Sequence, residues 1–113
     1  MSLSRYDITI FQGSDYALEL QLKDAVGDPI DITDAVVLSQ IRTSWDAPII
    51  ATFDSLVTDG PNGKFNIYLS GVDSQAISPP MQARYDILLT FQNNVRMRVL
   101  EGACLVDLAI SHV

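Results

Sequence analysis

The chain is short of the residues that carry most covalent and metal chemistry. It has one cysteine, Cys104, and one histidine, His112, in 113 residues. One cysteine cannot close an internal disulfide, which fits a reducing compartment. With a single Cys and a single His, a zinc site within one chain is excluded. A Ser–His–Asp or Cys–His centre needs a histidine held firmly beside its nucleophile, and His112 lies one residue from the end of the sequence. Basic residues are also scarce: seven Lys and Arg stand against 14 Asp and Glu, a net charge of −7. Nucleic-acid binders need a cationic footprint to displace counterions, so that class is set aside. No apolar run approaches the ~20 residues of a membrane helix, and the N-terminus has no apolar signal-peptide core. Neither secretion nor membrane insertion is therefore expected.

What is present is short alternating runs separated by turns. Hydrophobic residues make up 48% and charged residues 19%, the balance of a folded globular chain rather than a disordered one. The length gives room for one core, so residues 1–113 are read as one domain. Met1–Ser4 carries no pattern and is expected to be disordered, or of recombinant origin, with no part in the fold. In Tyr6–Phe11, Tyr6, Ile8 and Ile10 share a face. Tyr16–Lys23 alternates most cleanly, with Tyr16, Leu18, Leu20 and Leu22 on the apolar side. Asp24–Asp34 is a long turn region from which Ile30 and Ile32 tuck into the core. Strands are expected at Val36–Thr43, Ile49–Val57 and Lys64–Leu69, the last after the turn Thr58–Gly63. Ser70 is a helix cap with Asp73 three residues on, and Val72, Ala76 and Ile77 have helical spacing. That short turn is expected to cross between sheets and to end at Pro79 and Pro80. Arg84–Phe91 and Val95–Gly102, joined by Gln92-Asn93-Asn94, read as a β-hairpin. Ala103–Ile110 reads as a separate closing strand.

About eight strands at this spacing predict an all-β fold. The expected architecture is an antiparallel immunoglobulin-like β-sandwich of 7–8 strands with one helical turn; a small β-barrel is the alternative.

Candidate chemistry is thin. Asp28, Asp31 and Asp34 recur every third residue, but Pro29, Ile30 and Ile32 intervene, so turn-making aspartates are favoured over a calcium loop. Cys104 sits in an apolar strand and reads as a small core residue. Gly63-Lys64 leads into a strand, which rejects a phosphate loop. Arg84, Arg96 and Arg98 bracket the hairpin. They either contact an anion or partner, or form a solvated face that pairs across the ladder with Asp86 or Glu101; the second is preferred. Trp45 is either an interface anchor or a cover for the end of the core, the core being preferred. No catalytic, cofactor or metal residue is assigned, and an enzyme is not expected.

Three pieces together carry a likeness. They are Gly27-Asp28-Pro29-Ile30-Asp31-Ile32-Thr33 with the strand ending Ile41-Arg42; Asn62–Ser70; and Tyr85-Asp86-Ile87 with Arg98-Val99-Leu100-Glu101-Gly102. In this order, over roughly Ile8 to Ile110, the chain resembles small immunoglobulin-like domains of tailed bacteriophages. The nearest likeness is to the N-terminal domain of baseplate upper proteins and to related short tail or neck proteins. The resemblance implies a non-enzymatic virion structural protein, made in the host cytoplasm. Its partners would be copies of itself and other tail proteins. A carbohydrate- or receptor-binding β-sandwich is the competing reading, for which Trp45, Tyr68 and Phe11 are the outward aromatic candidates.

Overall fold

The structure, a computed structural model, describes residues 4–77 and 81–107. Its elements run β1 (Ser4–Arg5), β2 (Ile8–Phe11), β3 (Tyr16–Gln21), β4 (Val36–Arg42), β5 (Ala51–Asp59), β6 (Lys64–Leu69), α1 (Gly71–Gln75), β7 (Met81–Thr90) and β8 (Arg96–Asp107). The fold is all-β, as the turn spacing predicts. The strands form one curled sheet in the order β1-β8-β7-β4-β5-β6-β3, with β2 continuing along β8. β5 is the bend. Its residues Ala51–Phe53 pair with β4, whereas Asp54 onward pairs with β6. Ile8, Ile10, Ile41, Phe53, Ile67 and Ile87 are among the side chains buried inside the curl.

The expectation of a wholly antiparallel sheet fails at one edge. β1 and β2 run parallel to β8. Strands about a hundred residues apart need no hairpin, so nothing forces them to be antiparallel. Ser4 lies in this edge, opposite Leu100, and is not part of a patternless tail. The edge is interrupted at Tyr6 and Asp7. The Asp7 carboxylate accepts the Ala103 N–H at 2.9 Å, standing in for a main-chain acceptor, while the Tyr6 N–H donates to the Glu101 carbonyl at 2.9 Å. The interruption breaks the alternation, which is why Tyr6 is exposed while Ile8 and Ile10 are buried.

The hairpin holds, but its second strand is longer than expected. The segments read as Val95–Gly102 and Ala103–Ile110 form one strand to Asp107; residues 108–110 lie outside those described. Ile87 faces Leu100 and Leu88 faces Arg98, so Val99 is an extra residue, a bulge. Val99 and Leu100 are both buried in consequence, and the alternation restarts after them. Gly102 is not a strand end. A Cβ there would lie 2.1 Å from the Tyr6 carbonyl oxygen, so the glycine admits the N-terminal edge to β8. At the hairpin turn, Asn94 takes a left-handed φ of 67° and the Phe91 N–H donates to the Val95 carbonyl at 2.8 Å.

Two loops are stitched into the sheet. The Leu22 and Ile32 N–H groups donate to the carbonyls of Gly63 and Gly60, both at 2.8 Å, and Ile32 is fully buried. Helix α1 forms where Ser70 predicts it, with the Ser70 hydroxyl accepting the Asp73 N–H at 3.1 Å, and it links β6 to β7 across the bend. Of the apolar residues at helical spacing, Ile77, just past the helix, is buried in the core, but the other two are not. Val72 and Ala76 are exposed, while Ser74 is buried, accepting from the Gly13 N–H at 3.0 Å and bonded to the Ser14 carbonyl at 2.9 Å. A polar clasp to the β2–β3 turn thus works beside the buried Ile77. Pro79 and Pro80 lie outside the described residues.

Candidate functional site: a tryptophan and arginine groove

Alternation along β4, β7 and β8 sends every second residue to the outer face of the sheet. Register then decides which of them meet. Leu38 lies opposite Leu88, Gln40 opposite Asp86, and Arg42 opposite Arg84. On the next strand Arg98 lies beside Leu88 and Glu101 beside Asp86. These residues line a groove of about 430 Å³ with Ser44 and Trp45 at its lip.

Trp45 does not cover the core: it is 88% exposed. Ile41 and Phe53 already fill the interior at this end of the β4–β5 hairpin, and the chain leaves β4 from the outward Arg42. The loop carrying the ring is firmly held. The Arg42 guanidinium donates to the Ala47 carbonyl at 2.6 Å, the Ala47 N–H to the Ser44 carbonyl at 3.2 Å, and the Ser44 hydroxyl to the Asp46 carboxylate at 2.7 Å.

The charges in the groove are unevenly matched. Arg98 pairs with Asp86 at 2.9 Å, the cross-ladder pairing expected of it. Arg96 lies opposite Thr90, away from the groove. Among the described residues, Arg42 has only the Ala47 carbonyl and the Gln40 side-chain oxygen, at 3.2 Å, as hydrogen-bond partners. Arg84 makes no ion pair among the described residues. Like charges directly opposite one another weaken a ladder, and here two arginines stand opposite, neither in an ion pair among the described residues. A fork of donors beside a flat aromatic and two leucines is suited to a carboxylate-bearing, partly apolar ligand.

The remaining candidates lie elsewhere. Cys104 is fully buried, and burial pushes its thiol up to about 12. His112 is outside the described residues. The Asp31 carboxylate accepts the N–H and hydroxyl of Thr33, which lower its pKa, and Asp34 has a left-handed φ of 62°. Both are turn-makers by geometry. Among the described residues no cluster of His, Cys, Asp and Glu is placed to hold a metal ion. Phe11, Trp45 and Tyr68 are all outward, but only Trp45 lines the groove. Gly63-Lys64 leads into β6. Sequence reasoning missed Arg42, because its partnership with Arg84 exists only through the register of β4 on β7.

Comparison with protein-family models and with curated proteins finds no match for this chain.

Proposed function

We propose that the protein is a non-enzymatic structural module of a tailed bacteriophage, a tail, baseplate or neck component that works through protein–protein contacts. The carrying observation is Trp45, the chain's single tryptophan, held bare at the lip of a groove by a braced loop. Such an aromatic, beside arginines, has the composition of an interface anchor. The motif likeness over Ile8 to Ile110 supplies the phage setting. The partners are copies of the protein itself and neighbouring tail proteins. The test is to purify tailed particles from the source host and quantify the protein by mass spectrometry and immunogold labelling. A fixed copy number per particle, with label on the tail, is expected. Intact particles without the protein would overturn the reading.

A carbohydrate-binding module is the second reading, favoured by Trp45 standing beside Gln40, Asp86 and Glu101. A glycan-array signal abolished by Trp45→Ala would move the assignment to it.

A further inference from the structure

The molecule carries two surfaces of different character, an acidic loop at the start of β4 and a groove whose arginine pair lies at the end of β4. One surface is the groove, which Arg42, Arg84 and Arg98 line together with Asp86 and Glu101; Asp86 is taken up by Arg98, which leaves Arg42 and Arg84 as the groove's basic end. The other is the loop between β3 and β4. It carries Asp24, Asp28, Asp31 and Asp34, and Val26 stands at its tip 82% exposed. That tip is pre-shaped. The Asp24 carboxylate accepts the N–H groups of Val26 and Asp28, both at 3.0 Å, and the Asp24 N–H donates to the Asp28 carbonyl at 2.8 Å. A loop already fixed in shape loses little entropy on docking.

The Arg42–Arg84 end of the groove suits the loop's carboxylates, and Leu38, Leu88 and Trp45 suit Val26. The two surfaces cannot meet within one chain. The seven residues of β4 put about 20 Å between the end of the loop and the arginine pair, at about 3.3 Å per residue. We propose that the groove beneath Trp45 receives the Asp24–Asp34 loop of a second copy. Val26 packs on Trp45, Leu38 and Leu88, and the Asp28 carboxylate meets Arg84 and Arg42. The inference rests on the protein-contact reading above and names its first partner. Such a contact is head-to-tail, so it propagates into a ring if the rotation closes and a filament if it does not. Copies of an acidic chain repel one another at long range, so the Arg42–Arg84 end of the groove is where an acidic loop can approach.

The test is sedimentation velocity on the whole chain from micromolar to millimolar concentration, at low and at half-molar salt. Arg84 and Asp28 are both exposed, so Arg84→Glu and Asp28→Arg keep the fold, which thermal unfolding verifies. Wild type is expected to grow beyond one chain with concentration, less so in high salt. Each single variant weakens association by about tenfold or more, and the double variant, which swaps the charges, restores it. A wild type that stays one chain throughout overturns the inference, and so does association that neither single variant weakens. If copies associate through another surface, this contact fails while the protein-contact reading stands. If the charge swap behaves as described but tailed particles lack the protein, the contact stands and the phage setting fails.

Discussion

The Tyr85 hydroxyl donates a hydrogen bond to the main-chain carbonyl of Tyr6, 79 residues earlier in the chain. Tyr85 lies opposite Gly102 in the β7–β8 ladder, and the Tyr6 carbonyl comes in over that glycine. Three residues therefore bind the N-terminal edge to the middle of the sheet: Tyr85 gives the donor, Gly102 the space, and Tyr6 the acceptor. The Tyr85 ring also meets Phe53 edge-on at 6.4 Å, which in turn meets Tyr16 at 6.2 Å.

Removing only the hydroxyl isolates the hydrogen bond, because Tyr85→Phe keeps the ring and its contact with Phe53. The Tyr6 carbonyl then loses a partner, and stability falls by about 1–2 kcal/mol. Hydrogen exchange shows where the loss lies: amides of Ile8–Phe11 exchange faster than those of β4 and β5. Uniform acceleration across the sheet would mean that Tyr85 supports the core and not the edge.

Gly102→Ala tests the space. Its Cβ would fall 2.1 Å from the Tyr6 carbonyl oxygen and 2.7 Å from the carbonyl carbon, both backbone atoms that cannot swing aside. A cost of about 2–3 kcal/mol is expected in chemical denaturation, with β2 displaced from β8.

The Cys104 thiol is raised from an ordinary 9.0 to about 12 by burial. The unfolded chain gives up this proton above pH 9 while the folded chain keeps it, so the Cys104 contribution is level below that pH and stability declines as pH rises from 9 towards 12. Burial also raises the Tyr85 hydroxyl, which acts in the same direction at higher pH. Native protein at pH 8 is expected to react with a thiol reagent only as fast as it unfolds. Rapid labelling of folded protein would contradict the buried placement. Cys104→Ala should flatten the lower part of the alkaline decline.

Trp45 is the only tryptophan, so its fluorescence reports the groove alone. Emission of the folded monomer should match that of tryptophan in water and be readily quenched by acrylamide. Trp45→Ala should change unfolding stability by no more than about 0.5 kcal/mol. A blue-shifted, protected spectrum in dilute protein would return the ring to the core.

Legibility followed the range of each interaction. Alternation and turn residues marked Lys64–Leu69 and the Ser70 cap, which are local. They also marked the paired runs of the hairpin, though not the bulge at Val99, since a buried Val-Leu pair looks like ordinary strand sequence. Gly102 read as a stop because its reason for being there, the Tyr6 carbonyl, lies far away in sequence. Trp45 read as core because size and hydrophobicity favour burial, whereas the direction in which the chain leaves Arg42 puts the ring outside. The Arg42–Arg84 opposition was invisible for the same reason: β4 and β7 meet only in the folded sheet. Val26 likewise became notable only once Asp24 was seen to shape its loop.

The proposed contact joins the arginine end of the groove to the acidic loop of a second copy. The most direct measurement is amide and indole NMR over a concentration series at low salt. Two separate sets of signals are expected to shift, one from Val26–Asp34 and one from Leu38, Arg42, Arg84 and the Trp45 indole N–H, moving together and reversed by salt. Spectra that do not change with concentration, or shifts in the groove while the loop stays still, would contradict it.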